Sequence, residues 1–170
     1  MKAAVYSKYG SADVLSVEDV EKPKPLPNEV LVKVYASTVN RTDAGFRRAN
    51  YFVSRFFTGL TKPKRQVWGS EFAGVIEEVG ADVSEFIVGD KVFGFDDLMG
   101  KAHAEYMTFK ANGPIVLMPK GFTYLQIAAA GEGATYALND IWAANVKKGQ
   151  NVMVYGASGA IGSAAVQLLK

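Results

Sequence analysis

Apolar and polar residues alternate in short runs through roughly the first 120 residues, and Gly and Pro separate the runs. That pattern predicts strands rather than helices. Residues 1–7 and 15–19 read as two short strands that pair across the Tyr9-Gly10-Ser11 turn. Pro23, Pro25 and Pro27 mark residues 22–28 as a loop, because each proline removes a ladder donor. Residues 29–37 and 69–79 form the next two runs, the second ended by Gly80-Ala81-Asp82. After the Val88-Gly89-Asp90 turn come residues 91–95, then 103–109 and 114–118. Many short strands with regular turn signals predict a barrel or a sandwich.

The pattern changes after Pro119-Lys120-Gly121. Residues 123–143 are rich in Ala and Leu at helical spacing, with a break expected at Gly131-Glu132-Gly133. A domain boundary is therefore expected near Phe122, dividing the chain into residues 1–122 and 123–170. The turn Lys147-Lys148-Gly149-Gln150 leads into an apolar run at 151–155, then into Gly156-Ala157-Ser158-Gly159-Ala160-Ile161-Gly162 and a second Ala- and Leu-rich stretch. Strand, glycine loop and helix in that order read as the start of a dinucleotide-binding unit. Gly156 suits the tight turn, Gly159 the approach of a pyrophosphate, and Gly162 close packing of the helix. The residue that reads the ribose is expected about 20 residues further on, beyond Lys170.

Composition narrows the chemistry. A hydrophobic share of 49% and a charged share of 21% are ordinary for a folded globular chain, and a net charge of +2 is too small to argue for a nucleic-acid partner. No apolar run is long enough for a membrane span, and cytoplasm is the expected location. The chain has no cysteine and one histidine, His103. Disulfides, thiol nucleophiles and thiolate metal sites are thereby excluded, and no bound metal is expected.

Several further motifs fall in one order: Met1-Lys2-Ala3, Tyr9-Gly10, Pro27-Asn28-Glu29-Val30, Val39-Asn40-Arg41-Thr42-Asp43, Gly69-Ser70-Glu71-Phe72-Ala73-Gly74, Val88-Gly89-Asp90-Lys91-Val92-Phe93-Gly94 and Ala104-Glu105-Tyr106. With the glycine loop they make the chain resemble the zinc-free branch of the medium-chain dehydrogenase/reductases, the quinone oxidoreductase-like proteins. The resemblance implies a mostly β, chaperonin-10-like (GroES-like) barrel as the substrate and catalytic domain over residues 1–122. Residues 123–170 then hold a linker helix and the first βα unit of a Rossmann domain. Because members of that family are much longer, the chain is expected to be an N-terminal piece, inactive alone, of an active parent.

The implied activity is NAD(P)H-dependent hydride transfer to quinones, enals or enones without a metal. NADPH is the cofactor the resemblance favours, with NADH as the alternative, and a homodimer is implied for the parent. The partner is a small carbonyl or quinone substrate, with no nucleic acid and no membrane. In similar reductases the positions of Asn40, Asp43 and Tyr51 line the cleft that faces the nicotinamide. On the residues alone, Asn40 and Asp43 could equally cap a short helix through Arg47. Ser70 stands where zinc alcohol dehydrogenases carry a histidine, and Glu71 is expected to accept hydrogen bonds beside the cleft. His103 reads as a surface or packing residue, and Tyr136 falls where relatives place a threonine near the nicotinamide. A zinc-type alcohol dehydrogenase relative and a non-enzymatic barrel used for binding or assembly are the competing readings.

Overall fold

The structure, a computed structural model, describes residues 1–49, 52–64, 66–97 and 100–170. Strands β1 (Lys2–Val5) and β2 (Ser16–Asp19) form an antiparallel pair, joined by a short 3-10 turn at Ala12–Val14. The larger sheet contains β3 (Glu29–Ser37), β4 (Glu71–Val79), β5 (Lys91–Phe95), β6 (Tyr106–Lys110) and β7 (Ile115–Leu117). Its spatial order is β6-β3-β4-β5-β7, every pair antiparallel. Isolated bridges from Ala3 to Ala104 and from Val5 to Val67 tie the small sheet to the segments that lead into β6 and β4.

Side chains from alternate positions explain the core. Val30, Val32, Phe72, Ile76, Val92, Met107 and Ile115 pack into one buried cluster, with Phe109 tilted against Phe72 at 5.0 Å between ring centroids. Period-two alternation puts these residues on one face of their strands. Ala36 and Ala73 belong to a second cluster, where α3 (Tyr124–Ala128) lays Ile127 and Ala128 onto the large sheet. Small alanines there bring the helix close to the sheet, which fixes the start of α4 (Gly131–Ala143) at the end of β5.

Three expectations need correction. The helical stretch breaks at Ala129-Ala130, not at Gly131-Glu132-Gly133, which forms the first turn of α4. The two glycines serve close approach there: a Cβ at Gly131 would meet Phe95 Cβ at 3.3 Å, and one at Gly133 would meet the Ala160 carbonyl oxygen at 3.2 Å. Residues 103–105 precede the strand rather than belong to it, because only Ala104 makes a bridge. Residues 151–155 form no strand either. A strand exists only as part of a ladder, and a parallel one needs its neighbour from another crossover unit; among the described residues none pairs with this segment. The helix beyond it forms as expected, as α5 (Ala160–Leu168) packed against α4.

Candidate functional site

The chain turns sharply after β3. Asn40 adopts extended backbone angles and starts α1 (Arg41–Arg48) with a reciprocal capping box. Its Oδ1 accepts from the Asp43 backbone N–H at 3.0 Å, and Asp43 Oδ2 accepts from the Asn40 backbone N–H at 3.0 Å. This satisfies helix-end donors that have no carbonyl one turn back. The other Asp43 oxygen, Oδ1, accepts from the Ser70 N–H at 3.0 Å, so the buried carboxylate ties α1 to the entry of β4.

Asn40 also spends its amide on the protein. Its Nδ2 donates to Ser70 Oγ at 2.8 Å and to Glu132 Oε2 at 2.6 Å, with Glu71 Oε2 at 3.4 Å. Glu71 is only 4% exposed. It accepts from Thr38 Oγ1 at 2.6 Å through Oε2 and from the Glu132 backbone N–H at 2.9 Å through Oε1. That is the hydrogen-bonding role expected of it from the sequence. His103 Nε2 lies 2.8 Å from the Thr38 carbonyl oxygen, which can only accept, so this nitrogen carries a hydrogen. Asp43 Oδ2 stands 3.7 Å from the same nitrogen, and His103 packs into the network as the sequence suggested.

Glu132 closes the arrangement from α4. Its Oε2 is held by Asn40, and its Oε1 accepts from Thr42 Oγ1 at 2.8 Å. Burial raises its pKa above the ordinary carboxylate value, and the nearby charges of Glu71, Asp43 and Asp97 push the same way; the Thr42 hydrogen bond opposes them. Tyr136, one turn further along α4, gives its hydroxyl to Asp97. That hydrogen bond, with burial second, pushes the phenol up to about 12. Its ring packs on Phe95 at 6.1 Å between centroids.

A cleft of about 1090 Å³ runs between this cluster and the glycine loop. Asn40, Thr42, Glu71 and Glu132 line one side, and Gly156 and Gly159 contribute to the other. Gly156 has a φ of +76°, a left-handed turn open to glycine at no steric cost. A Cβ at Gly162 would fall on the Gly156 carbonyl, so the first turn of α5 packs directly on the loop. Gly159 is the cap of α5 and has no side chain to bond the helix's first N–H groups. Those of Ala160, Ile161 and Gly162 lack a carbonyl one turn back and are available to an anion. The loop thus offers a bare backbone cradle that fits a pyrophosphate.

Of the residues singled out from the sequence, Asn40, Gly156, Gly159, Ala160, Ile161 and Gly162 meet around one cleft. Ala157 and Ser158 are exposed in the turn between them, and Asp43 is buried beneath the cluster. Tyr51 lies outside the described residues. Sequence reasoning missed Glu132 and Thr42 as members of the site. The available signal was a charged residue in the first turn of an otherwise Ala-rich helix. Among the described residues, no three His, Cys, Asp or Glu side chains come together as a metal site, and no helix is long and apolar enough to cross a membrane.

Residues 26–140 match the family of the alcohol dehydrogenase GroES-like domain. The quinone oxidoreductase of Sus scrofa is 34% identical over 172 residues, covering 100% of this chain and 50% of that protein. The chloroplastic NADPH-dependent alkenal/one oxidoreductase of Arabidopsis thaliana is 30% identical over 180 residues, covering 100% of this chain and 44% of its own length. Among solved structures, the quinone oxidoreductase from Coxiella burnetii superposes with a TM-score of 0.87 at 28% identity, covering 99% of this chain and 53% of that one. The chain spans about half the length of the curated relatives it matches.

Proposed function

The chain belongs to the alcohol dehydrogenase GroES-like domain family, and on that premise we propose that it forms the substrate-facing part of a nicotinamide-dependent oxidoreductase acting on quinones, enals or enones. Residues 1–122 act as the substrate and catalytic domain, and residues 123–170 as linker helix and start of a Rossmann domain. NADPH is the favoured cofactor, no metal takes part, and the protein works in the cytoplasm, as a homodimer in its longer form. One observation carries the reading: the glycine loop and the polar cluster after β3 line the same cleft. The relatives named quinone oxidoreductase and alkenal/one oxidoreductase support the substrate class.

The reduced nicotinamide supplies a hydride, the two-electron chemistry the protein's own side chains lack. Gly156, Gly159 and the backbone N–H groups of Ala160, Ile161 and Gly162 would hold the pyrophosphate, with the α5 dipole adding to the attraction. Asn40 and Thr42 stand at the polar wall where a substrate carbonyl would lie. Asp43 holds the β3–α1 turn to Ser70 so that this wall keeps its shape. Tyr51 is assigned to the same cleft by the resemblance alone.

The test uses the longer protein, assayed by loss of reduced-nicotinamide absorbance with a quinone and with an enone. A Cβ at Gly159 meets only the Gly156 carbonyl oxygen, at 3.4 Å, so Gly159→Val should fold, as a circular dichroism melt checks, while its side chain blocks the phosphate. Turnover in the parent sequence with NADPH binding lost in Gly159→Val supports the reading. Unchanged NADPH affinity in that variant refutes it.

A further inference from the structure

The proposed reduction leaves one chemical requirement open. Adding a hydride to the β-carbon of an enone moves the C=C electron pair onto the carbonyl oxygen, and the resulting enolate needs a proton. On α4, at the wall of the cleft, Glu132 is a carboxyl placed to hold one. Asn40 Nδ2 fixes its Oε2 at 2.6 Å, and Thr42 Oγ1 binds its Oε1 at 2.8 Å. Each carboxyl oxygen has two lone-pair sites, so Oε1 keeps one for a proton while Thr42 occupies the other.

Burial raises the pKa of Glu132 most, and the Thr42 hydrogen bond opposes it; Glu71 on β4, Asp43 on α1 and Asp97 after β5 add negative charge that raises it further. Tyr136 and Asp140 on α4 bring no cation, and the glycine loop from Gly156 to Gly162 contains no titratable side chain. Arg41, exposed on α1, is the basic side chain lining the cleft. A carboxyl whose pKa is raised in this way keeps its proton to higher pH than an exposed glutamate does, as general-acid work requires.

We propose that Glu132 is the general acid of the reaction, donating its proton to the enolate of an α,β-unsaturated carbonyl substrate in the cleft it shares with Asn40 and Thr42. The Glu132 O–H bond breaks and a C–H bond forms at the substrate α-carbon. The enolate electron pair makes that bond and the carbonyl is restored. The substrate has gained a hydride and a proton, the reduced nicotinamide is oxidised, and the Glu132 carboxylate recovers its proton from water. This inference rests on the oxidoreductase reading above.

Two measurements test it. Carboxyl 13C resonances of this chain, with Glu132→Gln used for assignment, should show Glu132 still protonated at a pH where the exposed glutamates are ionised; titration together with the exposed glutamates overturns the proposal. In the longer protein, Glu132→Gln should bind NADPH like the parent sequence but lose at least about 100-fold in enone turnover. The fall in rate at high pH should disappear with it. Glu132→Asp, a shorter acid, should recover part of the rate and restore the pH dependence. Unaltered turnover and pH profile in Glu132→Gln, with NADPH still bound, overturn the inference and leave the oxidoreductase reading standing. Absence of nicotinamide binding by the parent sequence overturns both.

Discussion

Replacing Asn40 with Asp keeps the atoms of the helix cap and changes only what its amide nitrogen does. Aspartate caps a helix as well as asparagine does, so the Oδ1 contact to the Asp43 N–H survives. The nitrogen 2.6 Å from Glu132 Oε2 and 3.4 Å from Glu71 Oε2 becomes a carboxylate oxygen. Like charges about 4 Å apart repel by about 1 kcal/mol in water and about 4 kcal/mol at an effective dielectric near 20. The cluster is half-buried, so we expect about 2 kcal/mol from repulsion and about 1 kcal/mol more from the lost charge-assisted donor. Asn40→Ala should cost about 2 kcal/mol, about half from the cap and half from the lost donor.

The order of the two variants should then depend on pH. In Asn40→Asp, repulsion raises the cluster's carboxyl pKa values in the folded state above their unfolded values. The folded chain therefore holds protons more tightly, and its relative stability is greatest at low pH and lost as pH rises through the raised values. Urea unfolding followed by fluorescence of the buried Trp68 should rank Asn40→Asp below Asn40→Ala at neutral pH and above it near pH 4, where carboxylates begin to protonate. At about 2–4 °C per kcal/mol for a chain of this size, the neutral-pH loss in Asn40→Asp is about 6–12 °C in Tm. Wild-type stability of Asn40→Asp at neutral pH would refute the reasoning, because the amide would then not be holding two carboxylates apart.

Glu132→Gln should flatten the pH dependence of stability. The raised carboxyl contributes fully below its ordinary value of 4.5 and loses that contribution as pH climbs through the folded value, so Tm of the variant should gain on the parent sequence as pH rises across that window. Tyr136→Phe should remove one late step from the ultraviolet titration of the tyrosines. Its phenol is pushed up to about 12 by the Asp97 hydrogen bond, so the stability it contributes is present below pH 10.0 and lost towards 12; Tyr6, raised to about 12 chiefly by burial, should keep its own late step. Gly162→Ala should cost roughly 1–3 kcal/mol through overpacking against the Gly156 carbonyl, whereas Gly159→Ala should change Tm little. Circular dichroism melts compare the two.

The barrel strands were legible because local rules and the fold agree there. β3 at Glu29–Ser37 and β5 at Lys91–Phe95 follow from alternation between glycine and proline boundaries, to the residue. The helix break failed where a local rule met a tertiary need: Gly131 and Gly133 punctuate the sequence, but in the fold they let α4 reach Phe95 and Ala160. The apolar run at 151–155 has strand composition, yet composition cannot supply a ladder partner. Asn40 was readable as a cap or a cleft residue, and the structure gives it both positions. Glu132 was not readable as part of the site. Its partners Asn40, Thr42 and Glu71 lie 92, 90 and 61 residues away in sequence, and only the packing of α3 and α4 on the sheet brings them together.

A structure of the longer protein with NADPH bound tests the central claim most directly. The pyrophosphate should lie against the N–H groups of Ala160, Ile161 and Gly162, and the nicotinamide in the cleft beside Thr42 and Glu132. A nucleotide bound away from the glycine loop, or a nicotinamide ring outside that cleft, would contradict it.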